Sequence, residues 1–258
     1  PLFGNLEKLG PRLRSAPPPT ILLDFDGTLA PIAADPADAR MPAETLSLLK
    51  ALIRHRCLVG VISGRSLDQL RILVPAPGLI LAGNHGMEIE GDGWRFLHED
   101  ARAEVPRIER AVETLRPIVA KHPGALVENK GLTASLHYRK VSSRLAPLLL
   151  EQARGALEKQ PELSRLLLVP GRRVLEIRPD VSWDKGRACV LILERTGCRQ
   201  DRTVYIGDDR TDEDAFRRLP DAITVRVGLG NTAARYYVEG VDEVTRFLKW
   251  LAEENKPI

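Results

Sequence analysis

Cysteine is scarce in this 258-residue chain, which has three. Cys57, Cys189 and Cys198 are too scattered and too few for a disulfide framework, and none sits in a zinc-binding spacing. Reduced thiols in a cytoplasmic protein are therefore expected. Long apolar runs are missing as well: no stretch approaches the roughly 20 residues that span a bilayer, and the N-terminal residues lack the basic-then-apolar order of a signal peptide. Neither sign of charge dominates. The 38 basic and 35 acidic residues are interspersed, for a formal net charge of +3, and no basic run points to nucleic acid or an anionic membrane. Aromatic residues make up only 5%. Internal repeats are lacking, and the only low-complexity tract is Pro17-Pro18-Pro19. What these absences leave is a globular protein in which composition points to no macromolecular partner, long enough for one large domain or two modest ones; a monomer is the expectation.

Short apolar runs alternate with amphipathic stretches from Thr20 onward, as in a parallel sheet covered by helices. Ile21–Phe25, Leu58–Ile62 and Leu79–Ala82 read as strands. Ala43–Arg54 has apolar residues at helical spacing, and Ser66-Leu67-Asp68-Gln69 is a capping-box pattern that starts a second helix. The segment before the first strand reads as a short helix followed by a stiff connector, Ala16-Pro17-Pro18-Pro19. After Gly86 the rhythm changes, with a hairpin expected about Gly91-Asp92-Gly93. Helices are expected over Glu104–Lys121 and Ser142–Lys159, and strand-like stretches over Ala125–Tyr138 and Leu166–Arg178. The first rhythm then resumes with a helix at Asp184–Arg195, a strand at Thr203–Ile206, a helix at Thr211–Arg217, a strand at Ala222–Val227 and a closing helix at Val241–Glu253. The α+β stretch is thus inserted into an α/β domain, which gives expected bounds of 1–98, 99–181 and 182–258.

Asp24-Phe25-Asp26-Gly27-Thr28-Leu29 stands at the end of the first strand, where open α/β sheets place their ligands. At about 5 Å and an effective dielectric near 20, two carboxylates repel by roughly 3 kcal/mol, which favours a bound proton or a cation. Chemistry can use both: one carboxylate attacks phosphorus, while the other protonates the leaving oxygen and then activates water. Gly27 permits a sharp turn there. A second acidic stretch, Gly207-Asp208-Asp209-Arg210-Thr211-Asp212-Glu213-Asp214, also joins a strand to a helix. Five acids in seven residues suit a hard cation bound by oxygen. Acids at a helix start, with Thr211 as N-cap, would account for Asp212–Asp214 on stability grounds alone, but not for Asp208 and Asp209. Val61-Ile62-Ser63-Gly64-Arg65 ends the second strand and offers the Ser63 hydroxyl and the Gly64 amide to a phosphate. Lys185 sits at a helix start against the helix dipole, a misfit of up to about 1 kcal/mol that a nearby anionic site would offset.

The order Asp-x-Asp, Ser, Lys, Gly-Asp-Asp resembles the four motifs of the haloacid dehalogenase superfamily of phosphatases. The resemblance implies a Rossmann-like parallel-sheet core with an inserted α+β cap that excludes water and carries substrate specificity. It further implies Asp24 as nucleophile, Asp26 as general acid/base, and Ser63 and Lys185 as phosphoryl-group ligands. Mg2+ would be held by Asp24, the Asp26 carbonyl and Asp208, with Asp209 or Asp212 in support.

Within the inserted stretch, strand alternation puts Thr133, Ser135, His137 and Arg139 on one polar face, and Arg172, Glu176 and Arg178 share a face of another strand. Such a surface suits a hydroxyl-rich ligand. Together with Ala82-Gly83-Asn84-His85-Gly86 and Gly207–Phe216, the Glu128-Asn129-Lys130-Gly131 and His137-Tyr138-Arg139 segments are similar to the trehalose-6-phosphate phosphatase family, from about Thr20 to Trp250. That resemblance implies hydrolysis of trehalose 6-phosphate, with Glu128, Lys130, Arg139 and Glu176 on the sugar hydroxyls and His85 nearby. Gly64 and Arg65 fall beside the same substrate, and Arg172 stands where relatives are expected to carry lysine. A relative acting on another sugar phosphate, such as sucrose 6-phosphate, would share the core and differ in the cap, whereas the intact Asp24, Asp26, Lys185 and Asp208 argue against a catalytically silent sugar-phosphate sensor.

Overall fold

The computed structural model describes residues 1–14, 17–91 and 93–256. Ala16 of the expected connector and Asp92 of the expected hairpin lie outside the described residues. In chain order the elements are α1 (Leu6–Arg14), β1 (Thr20–Leu23), α2 (Ala43–Arg54), β2 (Leu58–Ile62), α3 (Leu67–Leu73), β3 (Ile80–Gly83), β4 (Glu88–Gly91) and β5 (Trp94–Leu97). There follow α4 (Glu99–Ala103), α5 (Val105–Val119), β6 (Leu126–Asn129), β7 (Ala134–His137), α6 (Ala146–Glu158), β8 (Leu166–Gly171) and β9 (Val174–Pro179). The chain closes with α7 (Lys185–Thr196), β10 (Thr203–Gly207), α8 (Asp212–Arg218), β11 (Ile223–Val227), β12 (Tyr236–Val238) and α9 (Val241–Glu254). Two compact units result, one of residues 1–96 with 183–258 and the other of residues 97–182.

The first unit is built on an eight-stranded sheet in the order β12-β11-β10-β1-β2-β3-β4-β5. The strands from β12 to β3 pair in parallel, and β4 runs antiparallel to β3. Near-continuous apolar runs form its central strands because both faces are covered. Ile21, Leu23, Val59 and Val61 face a core shared with Leu49, Leu52, Phe247 and Leu248 of α2 and α9. On the other face Leu22, Ile62 and Tyr205 pack with Ala188, Cys189 and Ile192 of α7 and Phe216 of α8. Burial pushes the Cys57 thiol up to about 11 and raises that of Cys189 well above its ordinary value, so both behave as core residues. The capping box of α3 is formed: Ser66 Oγ accepts from Gln69 N at 3.3 Å and Gln69 Oε1 accepts from Ser66 N at 3.0 Å. Thr211, by contrast, makes no side-chain cap for α8.

The chain leaves this unit after Phe96 and re-enters it at Trp183, and these two rings stack with centroids 5.0 Å apart and planes 25° from parallel.

The second unit carries a four-stranded sheet in the order β6-β7-β9-β8, antiparallel throughout. Each long strand-like stretch of the sequence folds back on itself. Ala125–Tyr138 divides into β6 and β7 about Gly131, whose φ of 81° is open to glycine, and Leu166–Arg178 divides into β8 and β9. Ala134, Leu136, Leu175 and Ile177 pack on Ile108, Ala111, Leu115 and Leu149 of α5 and α6. Alternation turns Ser135, Glu128 and Glu176 to the opposite face. Among the described residues no helix is long and apolar enough to cross a membrane.

Candidate active site

β1 lies between β10 and β2, where successive chain connections pass to opposite sides of the sheet, and such switch points open a crevice at the strand ends. Asp24, Ser63 and Asp208 each follow one of these three parallel strands. Lys185, the first residue of α7, completes the set. Its Nζ donates to Asp24 Oδ1 at 2.6 Å and to Asp212 Oδ1 at 2.8 Å, and Lys185, Asp24 and Asp212 are 2%, 4% and 0% exposed. Burial alone would lower the ammonium, but Asp212 and Asp24 outweigh it and hold Lys185 above the ordinary lysine value. The lysine that looks misplaced against the helix dipole is thus bound between two buried carboxylates.

One ammonium does not balance this site. Oxygens of Asp24, Asp208 and Asp212 lie within 4.8 Å of one another. The Asp24 carboxyl is raised well above its ordinary range by burial, with Asp212 and Asp208 adding to the effect and Lys185 opposing it. Asp208 is pushed up to about 7 by burial and then by Asp212. Its buried Oδ1 has no hydrogen-bond partner among the described residues. An oxygen-rich, under-neutralised cluster with an unpartnered carboxylate oxygen fits a hard divalent cation. Asp212 is differently occupied. Its Oδ1 accepts from Lys185 and from the Tyr205 hydroxyl at 2.6 Å, and its Oδ2 accepts from Asp209 N at 2.9 Å. Asp212 therefore anchors the cluster, while the exposed Asp209 side chain stays outside it.

Two glycines make room for these carboxylates. Gly27 has φ of 86°, and a Cβ there would fall 2.1 Å from Asp208 Oδ2; a Cβ on Gly207 would fall 2.2 Å from Asp212 Cγ.

Asp26, two residues beyond Asp24, is held by Arg65 through two parallel bonds, Nε to Oδ2 and Nη2 to Oδ1, both 2.7 Å. Ser63 is 1% exposed, and its Oγ accepts from Arg65 N at 3.3 Å. Gly64 lies against the His85 ring, where a Cβ would be 2.6 Å from Cε1. His85 is set there by a left-handed backbone, with φ of 48° at Asn84 and 60° at His85. Asn84 N donates to the Arg65 carbonyl at 2.7 Å and His85 N to the Ser63 carbonyl at 2.8 Å. Glu88 Oε1 ties the turn down by accepting from Asn84 Nδ2 at 2.8 Å and Leu67 N at 2.7 Å.

The remaining expected ligands belong to the second unit. Glu128, Ser135 and Glu176 form one cross-strand row over β6, β7 and β9. Glu128 Oε2 lies 2.7 Å from His137 Nε2, and Glu176 contacts Arg178. Lys130 occupies the turn between β6 and β7, where its N–H donates to the Thr133 carbonyl at 2.9 Å. Arg139 Nη2 donates to the Arg172 carbonyl at 3.1 Å, and Arg172 itself is exposed in the β8–β9 turn. Sequence reading did not single out Tyr205 or Glu88. Tyr205 sits in an apolar strand run and reads as core, and nothing local marks Glu88.

The parallel-sheet core with its acidic cluster at the strand ends has the fold of the haloacid dehalogenase type. That fold is shared at a TM-score of 0.63 and 15% identity with a haloacid dehalogenase-like hydrolase from Bacteroides thetaiotaomicron, over 90% of this chain and 99% of that one. The sequence matches the trehalose-phosphatase family over residues 22–237, and the chain belongs to that family. Trehalose-phosphate phosphatase B of Arabidopsis thaliana is 36% identical over 250 residues, covering 90% of this chain and 66% of that protein. The chain thus spans about two thirds of this curated relative. Among solved structures, a trehalose-6-phosphate phosphatase related protein aligns with a TM-score of 0.79 at 27% identity, over 91% of this chain and 97% of that one.

Proposed function

We propose that this protein hydrolyses trehalose 6-phosphate to trehalose and inorganic phosphate through a phosphorylated Asp24. The observation that carries the chemistry is Lys185 Nζ, 2.6 Å from Asp24 Oδ1 and 2.8 Å from Asp212 Oδ1 in a buried site. A free Asp24 oxygen attacks phosphorus, and the bond from phosphorus to the sugar oxygen breaks. Asp26 gives that oxygen its proton. In the second half Asp26, now a carboxylate, takes a proton from water as the water oxygen attacks phosphorus, releasing phosphate and restoring Asp24. Lys185 steadies the nucleophile and the phosphoryl oxygens, and the Ser63 hydroxyl and Gly64 amide would hold the same oxygens.

Asp24, Asp208 and the Asp26 carbonyl would hold Mg2+, with Asp212 orienting the set. The ion would supply the positive charge that lets one anion approach another. Residues 97–182 would act as the specificity element, with the Glu128, Ser135 and Glu176 row, Lys130 and Arg139 meeting the sugar hydroxyls. Charged donors and acceptors on a sheet face support a polyol ligand over an apolar one. Family membership supports trehalose 6-phosphate in particular. Phosphate release from trehalose 6-phosphate, sucrose 6-phosphate and glucose 6-phosphate, with and without Mg2+, tests both parts. A clear preference for the first with an absolute Mg2+ requirement is expected. Equal rates on all three would overturn the substrate, and undiminished release in chelator would overturn the cation.

A further inference from the structure

The guanidinium of Arg65 is committed on one edge. Nε and Nη2 grip Asp26, and Nη2 also donates to the Pro36 carbonyl at 2.9 Å. The group lies 5.4 Å from the centroid of the Phe25 ring. The Arg65 side chain is 9% exposed and that of Asp26 is 39% exposed, so a buried arginine reaches out to hold a carboxylate at the edge of solvent. Without that grip a half-exposed aspartate would spread over several rotamers. A carboxylate has about four acceptor positions, two on each oxygen. The fork uses one on each oxygen and leaves a second position on each, so the grip fixes where the Asp26 carboxyl group lies without covering it.

We propose that Arg65 is a positioning residue for proton delivery, acting on the leaving group only through Asp26 and not by touching the phosphoryl group. The inference rests on the acid role proposed for Asp26. In the step concerned, an Asp24 oxygen bonds to phosphorus, the bond from phosphorus to the leaving oxygen breaks with its electron pair on that oxygen, and the Asp26 proton moves to it. An alkoxide needs that proton, whereas p-nitrophenolate leaves without one. Since kcat/KM reports events up to the first irreversible step, comparing an alkyl with an aryl phosphate isolates leaving-group protonation from later hydrolysis of the intermediate.

The test measures kcat/KM of wild type, Asp26→Asn, Arg65→Gln, Arg65→Lys and the Asp26→Asn/Arg65→Gln double variant on trehalose 6-phosphate and p-nitrophenyl phosphate. Arg65→Gln is expected to lose roughly 100-fold on the sugar phosphate and less than about fivefold on the aryl phosphate, on the scale of general acid catalysis. Arg65→Lys, which keeps the charge without the fork, should recover only part of the loss. The double variant should be no worse on the sugar phosphate than Asp26→Asn. Equal losses on both substrates would show that Arg65 serves the phosphoryl group or the fold, and additive losses in the double variant would separate it from Asp26; either overturns the proposal. If Asp26→Asn itself shows no leaving-group selectivity, the acid assignment falls and the proposal with it. A wild type that cleaves another alkyl phosphate in preference to trehalose 6-phosphate removes only the substrate assignment, and the same comparison made with that phosphate decides the role of Arg65.

Discussion

Tyr205 donates its hydroxyl to Asp212 Oδ1 at 2.6 Å, the same oxygen that Lys185 reaches at 2.8 Å. The tyrosine is fully buried, and its ring meets Phe216 edge-on at 5.7 Å. Tyr205→Phe keeps that ring contact and removes only the hydroxyl, which leaves Asp212 less firmly held, by Lys185 and Asp209 N. Partners of this kind behind a metal site are worth roughly 10- to 100-fold in affinity or activity. The variant is expected to need about tenfold more Mg2+ for half-maximal activity, measured by titrating the ion against initial rate.

Lys185→Met keeps the length of the side chain and removes the ammonium bonded to Asp24. Two buried carboxylates then face each other uncompensated. Removal of one partner of a buried ion pair costs about 3–5 kcal/mol. Chemical denaturation of the metal-free variant should show a loss on that scale, and millimolar Mg2+ should restore part of it.

The Asp208 carboxyl, raised to about 7 from an ordinary 3.8, links stability to pH. Below 3.8 it is protonated in both the folded and unfolded chain and contributes nothing. Between 3.8 and about 7 the unfolded chain releases its proton while the folded chain retains it, so stability of the metal-free protein falls as pH rises. A cation must displace that proton, and its binding strengthens over the same interval. The rise in unfolding temperature caused by Mg2+ should therefore be larger at pH 8 than at pH 5.5. A rise that is unchanged or smaller at pH 8 would remove Asp208 from the metal site.

Asp24→Asn keeps the shape of the nucleophile without its charge. At least about a 10^4-fold loss of turnover is expected, of the order seen when a nucleophile is deleted, with circular dichroism unchanged. Normal activity on any phosphate monoester would sink the covalent mechanism.

Glu128→Gln bears on specificity. The change removes the charge facing His137, 2.7 Å away, and a hydrogen bond to a charged group is worth about 1.5–3 kcal/mol. KM for trehalose 6-phosphate should rise about tenfold or more, while kcat/KM for p-nitrophenyl phosphate should change by less than about twofold. Equal effects on both substrates would place Glu128 outside sugar recognition.

The parts legible in the sequence are those written in local pattern. Continuous apolar runs announce β1, β2, β10 and β11 because strands buried on both faces need no alternation. The capping box announces α3, and acids at strand ends announce Asp24 and Asp208. β12 escaped because Tyr236–Val238 is too short for a periodicity to register. The Arg65–Asp26 grip spans 39 positions in the chain, and the Tyr205 hydroxyl points out of an apolar strand; neither leaves a local trace. Lys185 was visible as a misfit at a helix start, but only the fold supplies the two carboxylates that resolve it.

The stacked rings of Phe96 and Trp183 have a consequence for descent as well as for structure. A segment whose two ends meet side by side can be cut from the gene and another ligated in its place while the host sheet keeps its strand order. Residues 97–182 are in that sense a cassette. A lineage holding this core can exchange one block of coding sequence, residues 97–182, and leave the eight-stranded sheet with its order intact.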